Sequence, residues 1–353
     1  MSASPSLLQS ATSDRAVGLD IAKGISILLV VAMHATLSVG EDLGHKGFMH
    51  EIVAFTKPFR MPDFFFISGI LAARALDREW RWFLDRKIIH FVYFYLLWLL
   101  ILLAAKAPSL EILDPARFGQ AYLAALIEPF ATLWFIFVLP FFFLVLRLTL
   151  HWPAGLILGA AGVLHVLAAT APDGGIYAMS SRLTGWFALD SFALFLVYFA
   201  LGARLSDYWL NRMGWFGERP LLLVLFSVAW LGCHLVGLSH GLTEVPGLTL
   251  LFGLAGALAV TGLSVLLAQR ALFGWLAAIG RNSLAIYVAF LIPLAVSRHI
   301  LISYAGFSDP GWVALAAVLF SVLACLLLAE MAPRLGLGFL LTRPGWARLS
   351  PHS

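Results

Sequence analysis

Charge is scarce in this chain, and cysteine scarcer still. Of 353 residues only 12% are Asp, Glu, Lys or Arg, whereas 61% are hydrophobic and the mean hydropathy is +0.92. Soluble globular domains carry about 25% charged residues, so that class is excluded. The two cysteines, Cys233 and Cys325, each lie in an apolar run and offer neither a disulfide framework nor a metal-ligand spacing. No metal is expected. Residues 1–14 lack the basic start and short apolar stretch of a cleaved leader, and read as a disordered cytoplasmic tail. No connection is long enough for a soluble domain, and no internal repeat is visible.

In place of charge the chain has apolar runs from end to end, each near the ~20 residues that a bilayer requires. They fall at 21–40, 50–76, 88–105, 130–150, 153–171, 187–204, 220–239, 246–269, 282–302 and 311–332. The sequence therefore predicts an all-α, polytopic membrane protein of about ten transmembrane helices. Its pI of about 9.2 would point to nucleic acid in a soluble chain; here the positive-inside rule accounts for it, and no nucleic-acid partner is expected. With the N-terminus inside, sixteen Lys and Arg collect on the inner side, from Arg15 and Lys23 through Arg74–Lys87 to Arg343 and Arg348. The outer side holds five: Lys46, Lys106, Arg117, Arg182 and Arg298. This asymmetry predicts that both termini are cytoplasmic. The membrane domain is set at 15–335, with a cytoplasmic C-terminal tail at 336–353.

Ionisable groups inside the runs stand out because lipid exposure would be costly. His34 lies mid-way along the first run, eleven residues beyond Lys23. Eleven steps of 100° come within about 20° of whole turns, so both share one helix face, roughly 16 Å apart. A surface cation and a deep imidazole in this register suit two ends of one long ligand. The alternative is a neutral packing histidine bonded to a neighbouring helix. Lys23 also has Asp20 one turn earlier, a partner it would simply neutralise.

The second run contains Arg60-Met61-Pro62-Asp63-Phe64-Phe65-Phe66-Ile67-Ser68-Gly69. Pro62 predicts a break near residue 61, and irregular backbone at membrane depth survives only where it is buried or lines a cavity. Arg60 and Asp63 flank that break and either neutralise each other or share a polar pocket. Ser68-Gly69 is read as a close-packing pair, or Ser68 as a hydroxyl in a site. Between the second and third runs, Arg74 to Lys87 carries five cations against three acids. It is ordinary inner-side charge or an anion site, with Arg86-Lys87 at its mouth and a phosphate-bearing cofactor as the fitting ligand. Trp134 could stack on a sugar or a pantetheine, and Asp190 could bind a sugar. His90 lies near an interface, where solvation alone accounts for it.

These pieces, in this order, resemble the motifs of the acyltransferase 3 family of membrane O-acyltransferases. Arg15 to Gly24 through His34 is similar to its first motif, and Phe64-Phe-Phe-Ile-Ser-Gly69 to its second-helix signature. Phe83-Leu-Asp-Arg86-Lys87 resembles the basic start of its third helix, Leu133-Trp134-Phe135-Ile136 the aromatic motif of its fourth, and Gly280-Arg-Asn-Ser283-Leu-Ala-Ile-Tyr287 its late helix.

The resemblance implies a ten-helix bundle in the cell membrane, a bacterial inner membrane. It implies a cytoplasmic acyl-CoA donor, acetyl-CoA foremost, and a hydroxyl acceptor on an envelope glycan or lipid-linked molecule. His34 becomes the base that activates that hydroxyl. Coenzyme A phosphates near Lys23, Arg86, Lys87 and Arg74 would leave the thioester to reach inward, positioned and shielded from water. Three positions depart from the family pattern: Lys23 stands where Arg is usual, and Arg60 and Phe290 stand where His is usual. Two other classes remain open on sequence: a transporter using the broken second span as its substrate site, and a catalytically silent binding protein. The oligomeric state is open.

Overall fold

Where no water reaches the backbone, apolar runs satisfy their N–H and C=O groups as helices or as a closed barrel. The computed structural model describes residues 5–170, 184–269 and 273–349, and these contain helices and no strand. Arg182 and Arg270 of the charge tally, residue 171 of the fifth run, and residues 1–4 and 350–353 of the two tails lie outside them.

The first helix, α1 (Pro5–Leu43), extends back through residues 5–14, the stretch read above as a tail. Then come α2 (Phe48–Thr56) and α3 (Arg60–Leu76). A third span is continuous over Trp80–Lys106 and is built from α4 (Trp80–Phe83), a π-helical turn (Leu84–Ile89) and α5 (His90–Lys106). After α6 (Pro115–Ala125) follow α7 (Trp134–Leu148), α8 (Ala154–Ala169), α9 (Phe187–Arg204), α10 (Ser206–Gly217), α11 (Pro220–Ser239) and α12 (Leu248–Ala268). The chain closes with α13 (Gly274–Arg281), α14 (Ser283–Ala289), α15 (Leu291–His299) and α16 (Pro310–Met331).

All ten expected runs are helical, but not all are single spans. Among the described residues seven helices are long and apolar enough to cross a membrane, and α14 with the α15 segment to Tyr304 makes an eighth, bent by 56°. The second run is divided into helices of 9 and 17 residues. The fifth, α8, has 16 residues, about 24 Å at 1.5 Å per residue, short of a ~30 Å hydrocarbon core. Leu221, Val224, Val228 and Leu235 of α11 are exposed, as side chains facing lipid would be.

α1 runs through the middle, packed by α3, α12, α13 and α16. Its contact with α13 is as close as helices come. A Cβ on Gly24 would overlap the Leu276 carbonyl, and one on Gly280 the Asp20 carbonyl. The crossing of α3 and α9 is built the same way: a Cβ on Gly69 would meet the Phe199 carbonyl, and one on Gly202 the Phe66 carbonyl. Gly69 of the second-helix signature is therefore a packing residue. Phe65, fully buried, packs against Trp134, Phe135, Phe142 and Phe195, the last stacked with centroids 5.0 Å apart. The aromatic run thus locks α3 to α7 and α9.

Gly69→Ala is expected to lower stability by about 1–3 kcal/mol, because the added methyl must push two backbones apart. Thermal unfolding of the purified variant in detergent, compared with wild type, measures it; an unchanged midpoint would contradict the close crossing.

Candidate active site within the membrane

α1 is an unbroken helix through Lys23 and His34, so both do share a face along one rod. Two broken helices meet this rod beside His34. The first break is the turn Lys57-Pro58-Phe59 between α2 and α3, a few residues before the expected place. Pro62 then sits in the first turn of α3, where an N–H has no intrahelical partner to lose. Arg60, 3% exposed, donates from Nη2 to the Met33 sulfur at 2.8 Å. Asp63 is fully buried and accepts from the Ser26 hydroxyl of α1; its Oδ1 has no hydrogen-bond partner among the described residues.

The second break was not foreseen. α14 and α15 part at Phe290, and Pro293, in the first turn of α15, is the physical cause: it lacks the N–H that would reach Ala289 and its ring crowds that carbonyl. Ser321 of α16 donates to the Phe290 carbonyl at 2.8 Å, covering the bend. The Phe290 ring packs on His34 with centroids 5.4 Å apart. Arg60 and Phe290, the two positions where the resemblance makes histidine usual, therefore come to adjacent residues of α1, Met33 and His34. The His34 ring is half-buried, and none of the hydrogen bonds found among the described residues involves it.

Nearer the Lys23 end is a cavity of about 180 Å³. Lys23, Ser68, His90, Phe135, Ser283 and Tyr287 line it, with Phe64, Phe91, Leu139 and Leu284. Tyr287 ties its walls together: the hydroxyl donates to the Thr132 carbonyl and accepts from Phe135 N at 3.1 Å. Lys23 Nζ lies 2.7 Å from Asp20 Oδ1, each side chain about a quarter exposed, so the neutralising pair exists and still faces the cavity. Ser68 donates back to the Phe64 carbonyl at 2.7 Å, leaving only acceptor capacity toward the cavity.

The basic approach is the π-helical turn Leu84–Ile89, a conformation that occurs mostly as single turns within α-helices and frequently at functional sites. Arg86 and Lys87 are both half-buried on it; the Lys87 ammonium lies over the Phe143 ring at 5.0 Å. His90 follows Lys87 by three residues and lines the cavity. The sequence reads His90 as an interfacial residue; in the structure it lines the cavity with residues of α1, α3, α7 and α14, a meeting of distant helices that no local pattern discloses.

Other candidates lie apart. Arg74 is exposed in the last turn of α3 and does not line the cavity. Trp134 packs among Phe65, Phe187 and Phe195 as part of the aromatic core. Asp190, buried in the first turn of α9, accepts from Thr184 N at 3.1 Å and Oγ1 at 2.9 Å and so shapes the segment leading into that helix.

The acyltransferase 3 family model, described as an acyltransferase domain, matches residues 17–330, nearly the whole chain. No curated protein matches the chain, and no solved structure does.

Tyr287→Phe is expected to lower stability by about 1–3 kcal/mol, since the Phe135 N–H and Thr132 C=O would lose their shared buried partner. Unfolding of the variant in detergent tests this, and a wild-type midpoint would mean that water replaces the hydroxyl.

Proposed function

This chain belongs to the acyltransferase 3 family, and from that premise we propose that it is a membrane O-acyltransferase with His34 as general base. The donor is a cytoplasmic acyl-CoA, acetyl-CoA foremost, and the acceptor a hydroxyl on a cell-envelope glycan or lipid-linked molecule. Both chain termini are taken as cytoplasmic, in keeping with the charge asymmetry. The observation that carries the reading is the shared cavity: it collects side chains from the first, second, fourth and late motifs, and His90 and Phe91 just past the third.

Its volume decides which part of the donor it suits. At about 180 Å³ it falls below the 300–1,000 Å³ of typical ligand pockets, so it fits the slender pantetheine arm rather than the nucleotide. Phosphates bind Arg86 and Lys87 at the π-helical turn, the arm passes Lys23 and His90, and the thioester points along α1 toward His34. His34 takes the acceptor hydroxyl proton as the oxygen attacks the thioester carbon. The C–S bond then breaks, and the thiolate leaves with that proton from the imidazolium. The buried Arg60 guanidinium, held at Met33, supplies positive charge beside the developing oxyanion.

The two broken helices also suit a carrier with a midplane site. Purified protein given acetyl-CoA separates the readings: transfer or hydrolysis of acetyl supports the enzyme, while substrate flux without acetyl loss supports the carrier. Mass spectrometry of envelope glycans with and without the protein would identify the acceptor.

His34→Ala is expected to fold normally and lose about 10²–10⁴-fold in acyl transfer, the usual contribution of a general base; wild-type turnover at matched expression would remove His34 from the role. For Lys23, the exchanged pair Asp20→Lys with Lys23→Asp keeps the ion pair but takes the cation from the cavity wall. Loss of donor binding in this variant supports a phosphate or arm contact; retained activity makes Lys23 a partner of Asp20 only.

A further inference from the structure

After α16 the chain does not trail away. It returns along the third span, where the Phe339 carbonyl accepts from Tyr93 Oη and the Leu340 carbonyl from Trp98 Nε1, both at 2.9 Å. Arg343 then turns inward. Its side chain is 3% exposed, and Nη2 donates to Asp85 Oδ2 at 2.6 Å. Leu349 N donates to the other oxygen, Asp85 Oδ1, at 2.7 Å, and Arg81 donates to the Leu349 carbonyl at 2.9 Å. Both carboxylate oxygens of a buried aspartate are thus held by the C-terminal segment.

Asp85 is the residue immediately before Arg86 and Lys87, inside the π-helical turn. We propose that Arg343, acting through Asp85, is a positioning residue of the acyl-donor site, and that residues 338–349 form a strap that sets the turn presenting Lys87 and Arg86 to the donor phosphates. The proposal rests on the donor-site reading given above.

Two physical arguments support it. Electrostatically, Asp85 Oδ2 lies 2.6 Å from Arg343 Nη2 and 3.9 Å from Arg86 Nε; Arg343 is the nearer cation and offsets most of a carboxylate charge that would otherwise weigh on Arg86 and repel a phosphate. Energetically, a buried ion pair is a poor source of stability, because desolvation offsets its attraction, and its best-attested use is to fix register. The register at stake is that of a turn one residue wider than an α-helix, leading directly to His90 and the cavity. A strap tying both Asp85 oxygens holds that geometry from outside the helix.

The test uses the full-length protein in detergent, with coenzyme A as the probe, and reads its dissociation constant, the KM and kcat for acetyl-CoA, and the unfolding midpoint. Arg343→Ala would leave Asp85 charged and buried without its partner, so the informative variants are Arg343→Lys and the neutral pair Asp85→Asn with Arg343→Gln. The neutral pair is expected to weaken coenzyme A binding about tenfold, the size of one misplaced charge-assisted contact, and to raise KM more than it lowers kcat. Arg343→Lys should restore part of the affinity. In a Lys87→Ala background the neutral pair should add little further loss, because both act through one turn. Unchanged affinity in the folded neutral pair, while Lys87→Ala binds weakly, would overturn the strap and leave the donor site standing. Losses that simply add would also overturn it. Wild-type affinity in Lys87→Ala would overturn the donor-site reading, and the strap with it.

Discussion

A helix break inside a bilayer survives only where protein covers the exposed backbone, and among the described residues two such breaks lie against the same helix. Pro62 and Pro293 each occupy the first turn of a second half-helix, and each break is sealed from α1 or α16: Ser26 reaches Asp63, and Ser321 reaches the Phe290 carbonyl. The requirement that these groups be satisfied internally keeps α3, α14 and α15 against the central rod. The close glycine contacts of α1 with α13 serve the same end, since they allow the rod to be approached without intervening side chains.

That arrangement explains why polar chemistry is concentrated along α1. Lys23, Ser26 and His34 all project from one helix, and each meets a different element: Asp20 and the cavity, Asp63 of α3, and Phe290 at the bend. The family match covers residues 17–330 as a whole. The cavity brings together side chains from the stretches that the sequence resembles as first, second, fourth and late motifs, and this convergence is what the proposed function is built on.

Much of this was legible in the residues. The apolar runs located every long helix, because hydrocarbon enforces a length and a composition that few soluble segments share. Pro62 disclosed the first break. Pro293 carried the same information about the second, but it lay within an apolar run with no charge to draw attention. The contact of Phe290 with His34 and the inward turn of His90 depend on how distant helices meet, which no local pattern encodes. The return of the C-terminal segment was hidden for a different reason: its anchors, Asp85 and Arg343, are 258 residues apart in sequence, and each alone reads as ordinary surface charge.

The π-helical turn has one more consequence. An α-helix advances 100° per residue, so the additional residue that a π turn accommodates shifts the rotational phase of everything after it. In the third span it decouples two faces: the one that offers Asp85 to the C-terminal segment and the one that offers His90 to the cavity. A chain shortened by one residue between Leu84 and Ile89 could wind as regular α-helix, yet it could keep only one of those faces aligned. Insertions and deletions that most transmembrane helices absorb at their ends would here separate the basic approach from the chamber it serves.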